Sequence, residues 1–362
     1  MTINLLPAED VTWDCVALGE VMLRLDPGWG RVRTARSFQV SEGGGEYNVA
    51  RAMSKVFHLR SAVVTALVDN EVGHLAEDLI MTGGVGLDHV VWVPFDGLGF
   101  TRVGLNFTEK GFGIRPPRGV SDRANSAASK LGPGDISWSR LLVEERVRWL
   151  HTGGIFAGLS DSCAELALEG MRAAREAGTI VSYDVNHRRS LWGVPGRNPV
   201  AVNRRLLNNV DVVFGSVEDY RTGLGFEVEE CPVEAWVDEP VRFAALSRAV
   251  INRFPQVQVV AMTLRDSRTS GRNDWGGLIF ADGTVHAARL RRDLEIYDRV
   301  GGGDGFVSGV IWSLMDGRSP SEAVEVGVAH GALTMTTPGD TSMVTRDEVL
   351  RAVTATDARA ER

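Results

Sequence analysis

The sequence predicts an α/β protein, a doubly wound and mostly parallel sheet carrying a small β-sheet lid. Three observations predict it. From Arg146 onward, short apolar runs alternate with segments at helical spacing, the pattern of strands covered by helices on both faces. Nearer the N-terminus, Val21–Leu25, Ser37–Val40 and Thr101–Thr108 are short runs that read as small surface strands, the last with a clear two-residue period. Two glycine triplets, Gly43–Gly45 and Gly301–Gly303, each run straight into a helical segment.

In chain order, residues 1–12 read as a flexible tail. Cys15–Glu20 is a buried strand, and Pro27, Gly28 and Gly30 mark turns between the lid strands. Glu46–Phe57 places Val49, Ala50, Met53 and Val56 at helical spacing. Ser61–Leu67 and Val90–Val93 read as strands around a helix at Glu71–Met81. Gly111–Ser121 is rich in Gly and Pro and opens a long loop to Pro133; loops of that length usually have a function. The regular part follows: strands Val147–His151, Ile180–Asp184, Val210–Phe214 and Val257–Thr263, with helices Asp161–Ala177, Pro199–Asn208 and Val241–Phe254. Trp275–Phe280 and Thr284–His286 flank Asp282–Gly283 as a hairpin. Helices at Gly305–Met315, Ser319–Met335 and Arg346–Val353 complete the chain. Residues 13–20, 43–90 and 119–353 are assigned to the core, 21–42 and 91–118 to the lid, and 354–362 to a second tail.

Composition narrows the function. The 362 residues suffice for one large domain or two modest ones, with 44% hydrophobic and 24% charged residues, as in ordinary globular proteins. A net charge of −8 without a basic stripe argues against nucleic acid. No apolar stretch approaches a membrane span, and the N-terminus lacks the basic and apolar regions of a signal peptide. Cys15, Cys163 and Cys231 show neither zinc spacing nor a disulfide framework, so a reducing, cytoplasmic setting is expected.

The chemistry concentrates in Asp298–Gly309, DRVGGGDGFVSG. Glycines before a helix turn bare N–H groups toward a ligand, and the helix dipole favours an anion there. Asp304 beside such a site repels the anion unless it has a task, and taking a proton from a hydroxyl is one. An anion hole plus a base describes a phosphoryl acceptor site. The plainer alternative is a glycine-rich turn with an N-cap aspartate. Gly43–Asn48 is a second such junction, a cradle for a polar ligand or simply a tight strand–helix turn.

Ligands of doubly wound sheets sit beyond the carboxyl ends of the strands. Asp184–Arg188 (DVNHR), the segment after Phe214, the loop after Thr263 and the Asp298–Asp304 turn all lie at such ends. Arg188 offers a bidentate grip on carboxylate or phosphate. Ser216–Asp219 either caps a helix or holds Mg²⁺ through water. Among Arg115, Arg118 and Arg123 in the long loop, an anionic substrate would engage at least one. Neither a dinucleotide fingerprint nor a Walker motif is present.

On these residues the chain resembles the ribokinase-like (PfkB) carbohydrate kinases. Asp298–Gly309 is similar to their C-terminal signature and Gly43–Asn48 to their N-terminal glycine motif. Gly19–Leu25 (GEVMLRL), Gly43–Ala50 (GGGEYNVA) and Asp184–Trp192 (DVNHRRSLW) resemble 2-keto-3-deoxygluconate kinases in particular. The resemblance implies a ribokinase-like fold and transfer of the γ-phosphoryl of Mg·ATP to a primary hydroxyl of a small sugar acid. Asp304 would be the base, and the N–H groups of Gly301, Gly302, Gly303 and Asp304 the anion hole. Gly43, Gly44 and Asn48 would bind the sugar acid, Arg123 its carboxylate, and Arg188 charge shared between carboxylate and phosphate. Ser216 and Asp219 fall at the family's Asn-x-x-Glu positions, with Asp219 serving Mg²⁺ through water. ATP would lie among Thr263, Arg265, Asp298, Gly301, Gly303 and Val328. A monovalent cation and a homodimer formed through the lid are further implications. The chain departs from the pattern at Arg299, at Ser216 and Asp219, in the long Thr263–Gly277 loop, and in lacking lid tyrosines. A fructose- or ribose-type kinase, or a non-catalytic sensor of the same fold, are the alternatives.

Overall fold

The computed structural model describes residues 3–355. Its main sheet has ten strands: β1 (Trp13–Leu18), β4 (Ser61–Asp69), β5 (Val90–Pro94), β8 (Val147–Gly153), β9 (Ile180–Asp184), β10 (Val212–Ser216), β11 (Val259–Thr269), β12 (Arg272–Ala281), β13 (Thr284–Ala287) and β14 (Arg291–Glu295). The order is β13-β12-β11-β10-β9-β8-β1-β4-β5, with β14 also on β12. The run from β11 through β10, β9, β8, β1 and β4 to β5 is parallel; β12 turns back antiparallel on β11.

Alternate side chains of each central strand enter different cores, because successive residues point to opposite faces. Val16 and Leu18 of β1 pack with α4 (Asp161–Glu176), α6 (Pro199–Leu207) and α8 (Pro240–Arg253). Cys15, on the opposite face, joins α1 (Gly45–Lys55), α9 (Gly302–Met315), α10 (Pro320–Thr334) and α11 (Arg346–Thr354). Ala17 packs with α1 and α2 (Glu71–Thr82). Short helices α3 (Gly154–Ala157), α5 (Arg189–Trp192) and α7 (Val233–Asp238) fill connections. Among the described residues no helix is long and apolar enough to cross a membrane.

The second sheet comprises β2 (Met22–Asp26), β3 (Gln39–Gly43), β6 (Gly104–Glu109) and β7 (Arg118–Asp122), in the order β3-β2-β6-β7. Register places Ser41, Arg24, Asn106 and Ser121 in one row and Val40, Leu25, Phe107 and Val120 in a row of the opposite face. The first row is polar and the second apolar. Asn106 and Ser121 border the large cleft, so the polar face is the inner one.

Four expectations need correction. Residues 3–12 are held down: Ile3 and Val11 are buried, and Arg60 donates to the carbonyls of Ala8 and Val11. Residues 1–2 and 356–362, the rest of the two expected tails, lie outside the described residues. Val90–Pro94, largely assigned to the lid, extends the main sheet beside β4 because its backbone pairs in parallel there. Arg118–Asp122, assigned mostly to a core loop, is a lid strand on β6. The Thr263–Gly277 segment is a β-hairpin, not a loop. Its partners run continuously from Val259–Ala281 to Ser267–Asn273, and the unbroken polar run Arg265–Asp274 hid that pairing from a search for apolar runs.

α9 and α10 approach closely because glycines line their seam. A Cβ on Gly309 would sit 2.9 Å from the Gly327 Cα, and one on Gly327 would sit 2.7 Å from Val310 Cγ2 and 3.0 Å from the Phe306 carbonyl. Gly327→Val is expected to lower unfolding free energy by about 1–3 kcal/mol, the cost of overpacking a tight seam. Urea denaturation reads this; an unchanged midpoint would show that the seam can open freely.

Candidate active site

The carboxyl ends of β9, β10 and β11 and the glycine turn before α9 open onto one cleft of about 1230 Å³. The small sheet stands over it, contributing Met22, Asn106, Thr108, Gly119 and Ser121. The lid loop also reaches the β11–β12 hairpin: Ser270 Oγ donates to the Gly113 carbonyl at 2.9 Å. Lys110 Nζ lies 3.9 Å from the centre of the Tyr297 ring, and Trp29 meets Tyr297 and Phe112 edge-on at 6.0 and 6.1 Å. The lid is thereby bridged to the β11–β12 turn through Ser270 and to the segment between β14 and α9 through Tyr297.

At its floor, Gly301 takes a left-handed φ of 79°, and a Cβ there would run into the Asp340 carbonyl, so only glycine fits. α9 begins at the next residue with no side chain capping it. The first N–H groups of a helix have no intrahelical acceptor, so this end offers donors and partial positive charge. Gly303 faces open space, which lets a ligand approach the backbone.

Asp304 stands in the first turn of α9, half-buried, and Asn48 Nδ2 on α1 donates to its Oδ2 at 2.6 Å. Gly45 leaves room beside it: a Cβ there would lie 3.7 Å from Asp304 Oδ1 and 3.4 Å from Asn186 Nδ2. Burial pushes the Asp304 carboxyl up to about 7; the Asn48 hydrogen bond opposes this, Asp340 adds to it, and Arg188 opposes it. The Asp184 carboxyl is also driven well above its ordinary range, first by burial and then by Asp219 and Asp304.

Arg24 ties lid to floor. Its side chain is fully buried and pairs with Asp26 at 3.1 Å, Asp340 at 2.5 Å and Asp298. These acids come from β2, from the loop after α10 and from the turn leading into Gly301. Arg24 lies within the GEVMLRL stretch but had no role there, and Asp340 stands with no motif around it, because their pairing joins segments far apart in the chain.

Asn48, Arg123, Arg188, Ser216, Asp219, Thr263, Arg265, Asp298, Gly301, Gly303 and Asp304 all border the cleft. Gly43, Gly44, Gly302 and Val328 do not. Gly43 packs toward Asp340, Gly44 on the Glu20 carbonyl and Gly302 on Met335, while Gly45 takes the place facing the cleft. Val328 is fully buried, its carbonyl accepting from Trp275 Nε1 at 3.0 Å. The helix was legible there, but not which of its faces turns inward. Asp298 spends its carboxylate on Arg24 and the Val300 N–H. Asp219 accepts from Ser216 N, Ser216 Oγ and His187 N at 2.7, 2.6 and 2.6 Å, so it organises the two strand ends. Arg123 donates to Glu20 Oε2 at 2.6 Å and keeps a buried Nη2 without a partner.

A parallel sheet whose carboxyl edge meets an uncapped glycine–helix junction, under a separate small sheet, defines a ribokinase-like architecture. Residues 142–347 match the family described as pfkB family carbohydrate kinase. The 2-dehydro-3-deoxygalactonokinase of Haloferax volcanii is 30% identical over 353 residues, spanning 97% of this chain and 100% of the relative. The crystal structure of 2-dehydro-3-deoxygluconokinase from Thermotoga maritima superposes with a TM-score of 0.86 at 29% identity, covering 95% of this chain and 98% of that one. A fructokinase of Solanum tuberosum is 25% identical, with 90% of each chain covered. The protein belongs to the pfkB family of carbohydrate kinases.

Arg24→Met is expected to cost about 3–5 kcal/mol, because it strands buried carboxylates without their counter-charge. Chemical denaturation measures the loss, and adding Asp340→Asn should recover part of it. A destabilisation that Asp340→Asn leaves untouched would mean that Arg24 acts by packing alone.

Proposed function

We propose that this kinase transfers the γ-phosphoryl of ATP to a primary hydroxyl of a small sugar acid, 2-keto-3-deoxygluconate or its galacto epimer. The observation that carries the reading is Asp304, held by Asn48 at the mouth of an uncapped helix N-terminus. The relatives named above supply the substrate class.

In this reading the sugar acid lies under the lid between Asn48, Gly45 and Arg123, with the Arg123 guanidinium bordering the cleft beside its carboxylate. Asp304 accepts the proton of the attacking hydroxyl as its oxygen bonds to phosphorus and the bond to ADP breaks. The N–H groups at the start of α9 receive the charge developing on the transferred group. Arg188 stands between acceptor and donor, and Ser216, Thr263 and Arg265 border the donor side. Mg²⁺ fits as an ion held mainly by phosphates and water. Among the described residues no group of three or more candidate ligands converges, and Asp219 already accepts three protein hydrogen bonds. Bound on the donor, Mg²⁺ would neutralise charge across the phosphate oxygens. The bridged lid keeps water from competing with the sugar.

The outer lid row of Val40, Leu25, Phe107 and Val120 fits a homodimer formed face to face through the lid; Val40 and Val120 are 38% and 46% exposed. The cytoplasm is the setting this reading favours, with Cys15, Cys163 and Cys231 all free thiols.

Asp304→Asn is expected to fold normally and lose nearly all turnover in a coupled ADP-release assay. Because a base must be ionised and burial raises this carboxyl to about 7, the wild-type kcat/KM should climb as pH rises through 7. A panel of sugar acids, fructose and ribose with ATP decides the acceptor; faster turnover of a neutral sugar, or an Asp304→Asn variant keeping most of its kcat, would sink this reading. For assembly, Val120→Asp should convert a dimer to monomers in light scattering, and a monomeric wild type at micromolar concentration would dispose of the lid dimer.

A further inference from the structure

We propose that Arg265 and Arg299, facing the cleft with Arg188, form a guanidinium clamp that binds the donor by its phosphate chain, with or without a base attached. The proposal rests on the kinase reading and adds to it a residue, Arg299, and a rule of donor selection. The three arginines come from separate elements. Arg265 sits at the carboxyl end of the parallel part of β11, Arg299 precedes the Gly301 turn by two residues, and Arg188 ends the loop after β9. All three line the cleft.

Their partners, or lack of them, set them apart. On the same hairpin, Arg268 pairs with Asp274 at 2.6 Å and Arg272 with Asp293 at 2.5 Å. Among the described residues, Arg265 and Arg299 make no hydrogen bond or ion pair, and Arg188 reaches only the neighbouring His187 carbonyl, at 3.3 Å. The guanidiniums are nonetheless close enough to feel one another. Arg265 is exposed along the cleft wall, yet its pKa is lowered, first by partial desolvation there and then by Arg299 and Arg188. Asp219 is the acid that offsets them, and its oxygens are engaged by Ser216 and His187.

Like charges gathered with no carboxylate in direct contact cost free energy that a bound polyanion returns. The uncapped α9 terminus, just beyond Arg299, adds to the same positive field. Planar guanidinium forks match phosphate oxygens two at a time, and a chain of linked phosphates presents successive pairs to successive forks. A lone carboxylate cannot satisfy three such forks.

The test uses inorganic tripolyphosphate, which has the charged chain and no base, on the full-length protein. Calorimetry should show that tripolyphosphate binds the wild type, and kinetics that it competes with ATP. Arg265→Gln and Arg299→Gln should each weaken tripolyphosphate binding and raise the KM for ATP about tenfold, the loss of roughly one charge-assisted contact. The KM for the sugar acid should stay unchanged, and Arg299→Lys should recover part of the loss. Unchanged tripolyphosphate affinity in both variants, or a loss that falls on the sugar-acid KM instead, overturns the clamp. If no sugar is phosphorylated at all, the kinase reading fails separately, and calorimetry still decides the clamp.

Discussion

The ion cluster around Arg24 is the constraint on which the rest of the cleft depends. A fully buried guanidinium needs compensation on every side, and here carboxylates arrive from three places far apart in the chain. Asp26 belongs to the lid strand that carries Arg24, Asp298 opens the glycine turn, and Asp340 follows α10. Satisfying this one charge therefore sets the height of the lid above the floor. It also orients the turn: Asp340, held by Arg24, presents its own carbonyl against Gly301, where only a residue without a side chain fits. The start of α9, and with it Asp304, inherits its position from that contact. On the far side, the glycine seam between α9 and α10 keeps the helix from sliding.

Charge is sorted along the cleft. Asp184, Asp304 and the buried Glu46 lie near one another, and burial raises all three, Asp304 and Glu46 to about 7. Arg188, Arg265 and Arg299 gather toward the glycine turn and the hairpin. Carboxylates buried against their own ionisation are costly to a folded chain, whereas the three arginines are exposed and keep their water. Carboxylates beside exposed arginines and an uncapped helix start give the cleft the polarity that the proposed transfer would use.

Much of this was legible in the residues. The alternating strands and helices from Val147 onward, the two glycine–helix junctions and the convergence of strand ends on one side follow from local pattern and the rule for parallel sheets. The pairing of Asn48 with Asp304 could be placed in one site but not measured. What remained hidden depends on tertiary placement. Which glycine of Gly43–Gly45 faces the ligand is decided by Asp340 and Glu20, residues from elsewhere in the chain. Val328 faces inward because its side chain packs over Gly277 of β12 in the core with Phe306 and Trp275. The β11–β12 hairpin carries charges along its outer half, so its pairing shows only once both strands are laid side by side. Arg24 looks like an ordinary polar residue of a surface strand until its three acids are seen around it.

The bridge from the lid has a consequence for how the roof is held. It consists of one hydroxyl bond, ring-edge contacts and an ammonium over a tyrosine face. Contacts of these kinds contribute about 0.5–1.5 kcal/mol each and exchange readily with water. The roof is thus fastened in two ways, by weak and reversible contacts from its loop and by a buried cluster of one guanidinium and three carboxylates. Of the two attachments the loop contacts are the ones that yield first, since losing any of them strands no buried charge.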